Sequence, residues 1–172
     1  MKFKNLIKKN IQNVNLIRPK WYNNYIRSKN KFLLDKNENV DEILNIKIKK
    51  IISNLNGDYI YKYPETQKLY YKLSDFINLN PKNLLLCHGS DGGIKSIFET
   101  FLNDNDTICL TNPTFQMYYV YAKIFGTKIK FIEYENKFQQ PSLNVEKIIK
   151  KISKYKPKVL FLANPDSPTG TI

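Results

Sequence analysis

The sequence of 172 residues predicts an α/β protein whose mainly parallel sheet is covered by helices on both faces. From residue 84 onward, short apolar runs alternate with segments of helical period. Each run is followed by a loop rich in Gly, Pro, Asn, Asp or Ser. Hydrophobic residues make up 42% of the chain, and a chain of this length buries about 70% of its unfolded surface. That is enough for a real core.

Residues 1 to 34 mix aromatic and basic residues with weak periodicity and read as an N-terminal arm with a short helix. Leu34-Asp35-Lys36-Asn37-Glu38-Asn39 is polar and turn-like. Asp41 then reads as an N-cap, with Leu44, Ile48, Ile51, Ile52 and Leu55 at helical spacing and Gly57 closing the helix. A tyrosine-rich connector, Tyr59 to Tyr63, leads to Pro64, which fits a first helical turn. Leu69, Leu73, Phe76 and Ile77 line one face of that second helix, and Pro81 ends it.

The alternating part begins with a short apolar strand, Leu84 to Cys87, and the turn His88 to Gly93. A helix carrying Ile94, Ile97, Phe98, Phe101 and Leu102 follows. Thr107 to Leu110 is a second strand, Thr111 to Phe115 its loop, and a tyrosine-rich helix runs on to Gly126. Lys128 to Ile132 reads as a third strand, Leu143 to about Tyr155 as an amphipathic helix, and Val159 to Ala163 as a fourth strand. The loop Asn164 to Gly170 comes last. In such sheets ligands collect beyond the carboxyl ends of the strands, and three of these loops follow strands.

The net charge of +13 invites a nucleic-acid reading, but the basic residues are 26 Lys and two Arg, Arg18 and Arg27. Bidentate recognition of bases and phosphates leans on Arg, and the lysines form no dense block. Asn and Ile occur 21 times each beside 12 Tyr and 10 Phe. That skew is what an AT-rich coding sequence produces, so no nucleic-acid partner is expected. Cys87 and Cys109 sit in short apolar runs and read as buried strand thiols. One histidine and two distant cysteines assemble no metal site. The N-terminus carries neither a signal peptide nor a membrane span, so a cytoplasmic protein without membrane partners is expected.

The loops carry the chemistry. Gly89-Ser90-Asp91-Gly92-Gly93 opens a helix, where free amides favour an anion and glycine lets a phosphate approach the backbone. Asp91 is assigned an N-cap role, its amide facing the anion, because its carboxylate would repel a phosphate. Phe115 offers a face that could stack on a flat heteroaromatic ring, or simply fill core. The loop 164–170, with two prolines and Thr-Gly, is too rigid and polar for a casual connection, or is a plain turn sequence.

Singly these signals are weak. In order, however, LDKNEN, YKYPE, GSDGG, NPTFQMY and NPDSPTG resemble the signatures of histidinol-phosphate aminotransferases, within the fold type I pyridoxal-phosphate enzymes. The resemblance runs from about Phe32 to Ile172. It implies a three-layer α/β/α large domain, of which residues 35–172 are the first half, incomplete at the C-terminus. It also implies pyridoxal 5'-phosphate as cofactor, with an amino group moved between an amino acid or amino-alcohol phosphate and a 2-oxo acid. Ser90, Asp91 and Gly92 match the loop that holds the cofactor phosphate, and Phe115 the aromatic residue stacked on its ring. Tyr63 matches a tyrosine that reaches the partner's cofactor phosphate across a homodimer. Asn37 matches a segment that folds over the substrate. Ser167 stands where the family usually has an asparagine bonded to the ring's phenolic oxygen, and Asp91-Gly92 stands where Asp-Glu is usual.

The family's catalytic lysine, the aspartate facing the pyridine nitrogen and the arginine for the substrate carboxylate lie beyond the last of these motifs. The chain by itself is therefore expected to be inactive and prone to associate. A phospho-amino-acid decarboxylase of the same fold and a non-catalytic truncated remnant are the alternative readings.

Overall fold

In the computed structural model, which describes residues 7–12, 38–136 and 139–172, the chain forms two units: residues 21–86, and residues 1–20 together with 87–172. The arm and Asn37 lie largely or wholly outside the described residues.

In the unit of residues 21–86, Asp41 caps as expected: extended itself, it accepts a 2.7 Å hydrogen bond from the Leu44 amide and starts α1, Glu42–Ser53. The helix ends at Asn54, not at Gly57. Gly57 has right-handed dihedrals and instead precedes the single turn α2, Asp58–Tyr61. Pro64 lies in the connector, because the next helix, α3 (Gln67–Ile77), begins three residues later. The packed face of α3 is also rotated from the expected one. Tyr70, Leu73 and Ser74 turn inward while Phe76 is 87% exposed. Two polar anchors set that rotation. Ser74 Oγ donates to the Leu79 carbonyl beyond the left-handed Asn78, and the Tyr70 hydroxyl accepts the Leu86 amide at 3.0 Å.

The second anchor explains a further difference. Leu84–Cys87 is extended and alternates in burial, yet it is no strand. Leu86 gives its amide to a side chain, and no strand among the described residues pairs with the segment. Cys87 is accordingly exposed, its thiol directed to the Gly89 carbonyl, whereas Cys109 is buried as expected.

The other unit holds the sheet. β1 (Thr107–Asn112) lies between β2 (Lys128–Glu133) and β3 (Val159–Phe161), and both pairings are parallel. Ile108 pairs with Ile129 on one side and Val159 on the other. A central parallel strand is buried on both faces, which explains the continuous apolar run Ile-Cys-Leu. The period of two sends Ile108 and Leu110 to one face, under α4 (Gly89–Phe101) and α5 (Gln116–Ile124). Cys109 goes to the other face, under Ile148 of α6 (Val145–Tyr155). Helix, sheet and helix make three layers.

Phe98 centres the larger cluster, its ring stacked on Phe161 at 5.3 Å and tilted against Tyr121 and Phe125. α6 begins where the Asn144 side chain accepts the Lys147 amide. Lys158 clips the start of β3 to β1, with its amide on the Thr107 carbonyl and its ammonium 2.8 Å from Asp106. That ammonium, with the Asn103 amide behind it, holds the Asp106 carboxyl below the usual range. Among the described residues no helix is long and apolar enough to cross a membrane.

Candidate functional site

The site grows from three chain segments at α4 and at the carboxyl ends of β1 and β3. The first is the start of α4. Gly89 adopts φ +67°, a left-handed conformation that favours glycine, and this lets the helix begin directly at Gly89. His88 therefore takes the cap position and Asp91 falls inside the first turn, so Asp91 is not the N-cap. Its carboxylate accepts a 3.1 Å hydrogen bond from Tyr121 of α5. The amide of Gly89 bonds to the Cys87 carbonyl and that of Gly92 to His88. Between them, the amides of Ser90 and Asp91 have no backbone acceptor among the described residues. The Tyr121 bond turns the Asp91 carboxylate toward α5, and helix-start amides of this kind favour an anion.

The second segment follows β1. Thr114 is buried, and Phe115 occupies the cap position of α5, 36% exposed, with the edge of its ring system against Tyr118 at 88°. Phe115 is not core. Asn112 bridges to both carboxylate oxygens of Glu133 at the end of β2, at 3.1 and 3.2 Å.

The third segment follows β3. Ser167 is exposed, while Asp166 beside it is only 3% exposed. Asp166 accepts from Thr111 Oγ1 at 2.9 Å, from Thr114 Oγ1 at 2.8 Å and from the Tyr134 hydroxyl. Its own carbonyl accepts the Gly170 amide at 2.7 Å and its amide donates to Thr171 at 2.9 Å. This carboxylate thus joins the loop of Phe115 to the loop of Ser167. Burial, then the hydrogen bond to Asp166, push the Tyr134 hydroxyl pKa up. Tyr118 moves the same way, through burial first and the Asp166 charge second.

Free helix-start amides, a part-exposed aromatic ring and an exposed hydroxyl now lie in one unit. Amide donors suit a phosphate and an exposed aromatic face suits a flat ring. Tyr63 is fully exposed and belongs to the other unit. Among the described residues no group of His, Cys, Asp or Glu could hold a metal ion.

Residues 29–172 match the family model described as aminotransferase class I and II. The chain belongs to that family. The histidinol-phosphate aminotransferase of Clostridium novyi is 36% identical over 149 residues, covering 84% of this chain and 40% of that protein. The enzyme of the same name from Methanocaldococcus jannaschii is 40% identical over 120 residues, 67% of this chain and 31% of that protein. The chain therefore spans about 40% of the length of the first relatives it matches. A solved histidinol-phosphate aminotransferase from Sinorhizobium meliloti, in complex with pyridoxal-5'-phosphate, superposes with a TM-score of 0.60. It is 16% identical and covers 74% of this chain and 33% of that one, a likeness of fold.

For this aminotransferase-family chain, sequence reasoning took residues 164–170 as a rigid turn and missed Asp166. A signal was present: an acidic residue between Pro165 and Pro168, in the loop that follows β3. What the sequence did not show was the distant set of hydroxyls that meets it.

Proposed function

We propose that this chain supplies the cofactor-binding part of a pyridoxal-phosphate-dependent aminotransferase. The reaction transfers an amino group between an amino acid or amino-alcohol phosphate, of the histidinol-phosphate kind, and a 2-oxo acid. When bound, the cofactor supplies an electron sink for the substrate α-carbon. The protein's part is binding and orientation. The amides of Ser90 and Asp91 hold the phosphate at the start of α4, and Gly92 keeps the approach to that turn free of a side chain. Phe115 stacks on the ring, and the Ser167 hydroxyl donates to its phenolic oxygen. Tyr63 reaches the phosphate of a partner subunit in a homodimer, and Asn37 contacts the substrate.

The observation that carries the reading is the junction of the Phe115 and Ser167 loops through Asp166, at the carboxyl ends of two adjacent parallel strands. Titration with pyridoxamine 5'-phosphate tests it, because that form has no aldehyde to condense with the 26 lysines. Binding should be saturable, weakened about tenfold by Phe115→Ala and nearly unchanged by Phe115→Tyr, given about 0.5–1.5 kcal/mol for stacking beyond burial. Affinity indifferent to Phe115→Ala, or no saturable binding by the wild type, would sink the reading.

A further inference from the structure

The buried carboxylate of Asp166 has no part in holding the cofactor as proposed above, yet it accepts hydrogen bonds from three side chains. Its side-chain partners are three hydroxyls, Thr111, Thr114 and Tyr134, and among the described residues no salt bridge reaches it. A carboxylate removed from water without a cation is costly unless its oxygens are well bonded. An apolar side chain would fill the space at less cost, but it would fix no angles. Hydrogen bonds to an ionised acceptor are short and directional.

The position of these bonds shows what they fix. Thr114 immediately precedes Phe115, and Asp166 immediately precedes Ser167. Thr111 lies in β1 and Tyr134 directly follows β2, so two of the three hydroxyls belong to the sheet frame. The loop bearing Ser167 is closed on Asp166 itself through Gly170 and Thr171. One carboxylate therefore ties both ring-holding loops to the sheet and to each other. We infer that Asp166 is a positioning residue: with Thr114 it sets the separation of Phe115 and Ser167 so that one flat ring engages both. The inference rests on the cofactor reading above for its ligand, but the clamp itself does not.

Thr114→Val is the test, because it removes one hydroxyl and keeps the volume. Two readouts are made on the 172-residue chain. Amide hydrogen exchange should accelerate about tenfold in both loops, residues 111–116 and 164–171, while Ile108 to Leu110 stay protected. Affinity for pyridoxamine 5'-phosphate should fall about tenfold, and Thr114→Val should add nothing on a Phe115→Ala background. Thr114→Ser, which restores the hydroxyl, should restore both readouts. Acceleration confined to residues 111–116, or spread evenly over the sheet, overturns the clamp. So does an effect on affinity that multiplies with that of Phe115→Ala. If the wild type binds no pyridoxamine 5'-phosphate, the cofactor reading fails, and the exchange pattern alone then decides the clamp.

Discussion

Phe98→Ala is the perturbation whose cost the structure sets most directly. Phe98 is 0% exposed and has three aromatic neighbours, with Phe161 stacked at 5.3 Å and an interplanar angle of 10°. Truncating a buried phenylalanine costs about 3–5 kcal/mol. Aromatic pairs add about 0.5–1.5 kcal/mol beyond burial, so a residue with three of them belongs near the top of that range, at about 4–5 kcal/mol. Single domains are stable by only about 5–15 kcal/mol. The substitution should therefore remove roughly a quarter or more of the total. Urea unfolding followed by circular dichroism measures this, with amide exchange at Ile108 to Leu110 reporting on the sheet unit alone. Phe76→Ala is the internal control. Both phenylalanines sit at helical positions that read as inward from the sequence, but Phe76 lies out in solvent. Its truncation should change stability by less than about 0.5 kcal/mol. Equal losses for the two variants, or a Phe98→Ala chain within about 1 kcal/mol of wild type, would refute the packing argument.

Other outcomes follow from single contacts. Asn144→Ala removes the cap of α6 and should cost about 1 kcal/mol in urea unfolding, whereas Asn144→Asp should not. Tyr134 has its pKa raised above the ordinary 10.0 by burial and by Asp166. The stability it contributes is complete below pH 10 and is lost as pH rises through the raised folded value. Tyr134→Phe should flatten that alkaline decline in the urea midpoint. Ile43, Ile46, Ile51 and Ile52 of α1 are all exposed, while the net charge is +13. Light scattering should accordingly show the 172-residue chain associating more as salt screens its self-repulsion. Association that salt leaves unchanged would remove charge from that balance.

The sequence revealed what local periodicity encodes. The cap at Asp41, the buried run of β1 and the amphipathic α6 depend on neighbours within a few residues, and each was legible. Leu84 to Cys87 was not, because an apolar run becomes a strand only when another strand takes its amides, and Leu86 gives its amide to Tyr70. The face of α3 was misjudged for a related reason. Hydrophobicity favours Phe76, but two polar contacts turn Ser74 and Tyr70 inward. In the candidate site, loop composition pointed to the turn 89–93 and to Phe115, whereas Ser90 and Ser167 were singled out only by the family resemblance. Asp166 depends on Thr111, Thr114 and Tyr134, residues that no local pattern connects to it.

The hydroxyls that meet Asp166 are 55, 52 and 32 residues earlier in the chain. No hairpin or single helix can preform this junction, since closing loops of that length must precede any gain from the contacts. On a ribosome adding about 5–20 residues per second, Thr114 emerges roughly 3–10 s before Asp166. Throughout that interval the loop of Phe115 lacks the partner that fixes it. The surface proposed to bind the ring is thus a late product of synthesis, completed only when β3 docks beside β1. Chaperones and pyridoxal phosphate alike would first meet a half-built sheet whose two loops are not yet joined.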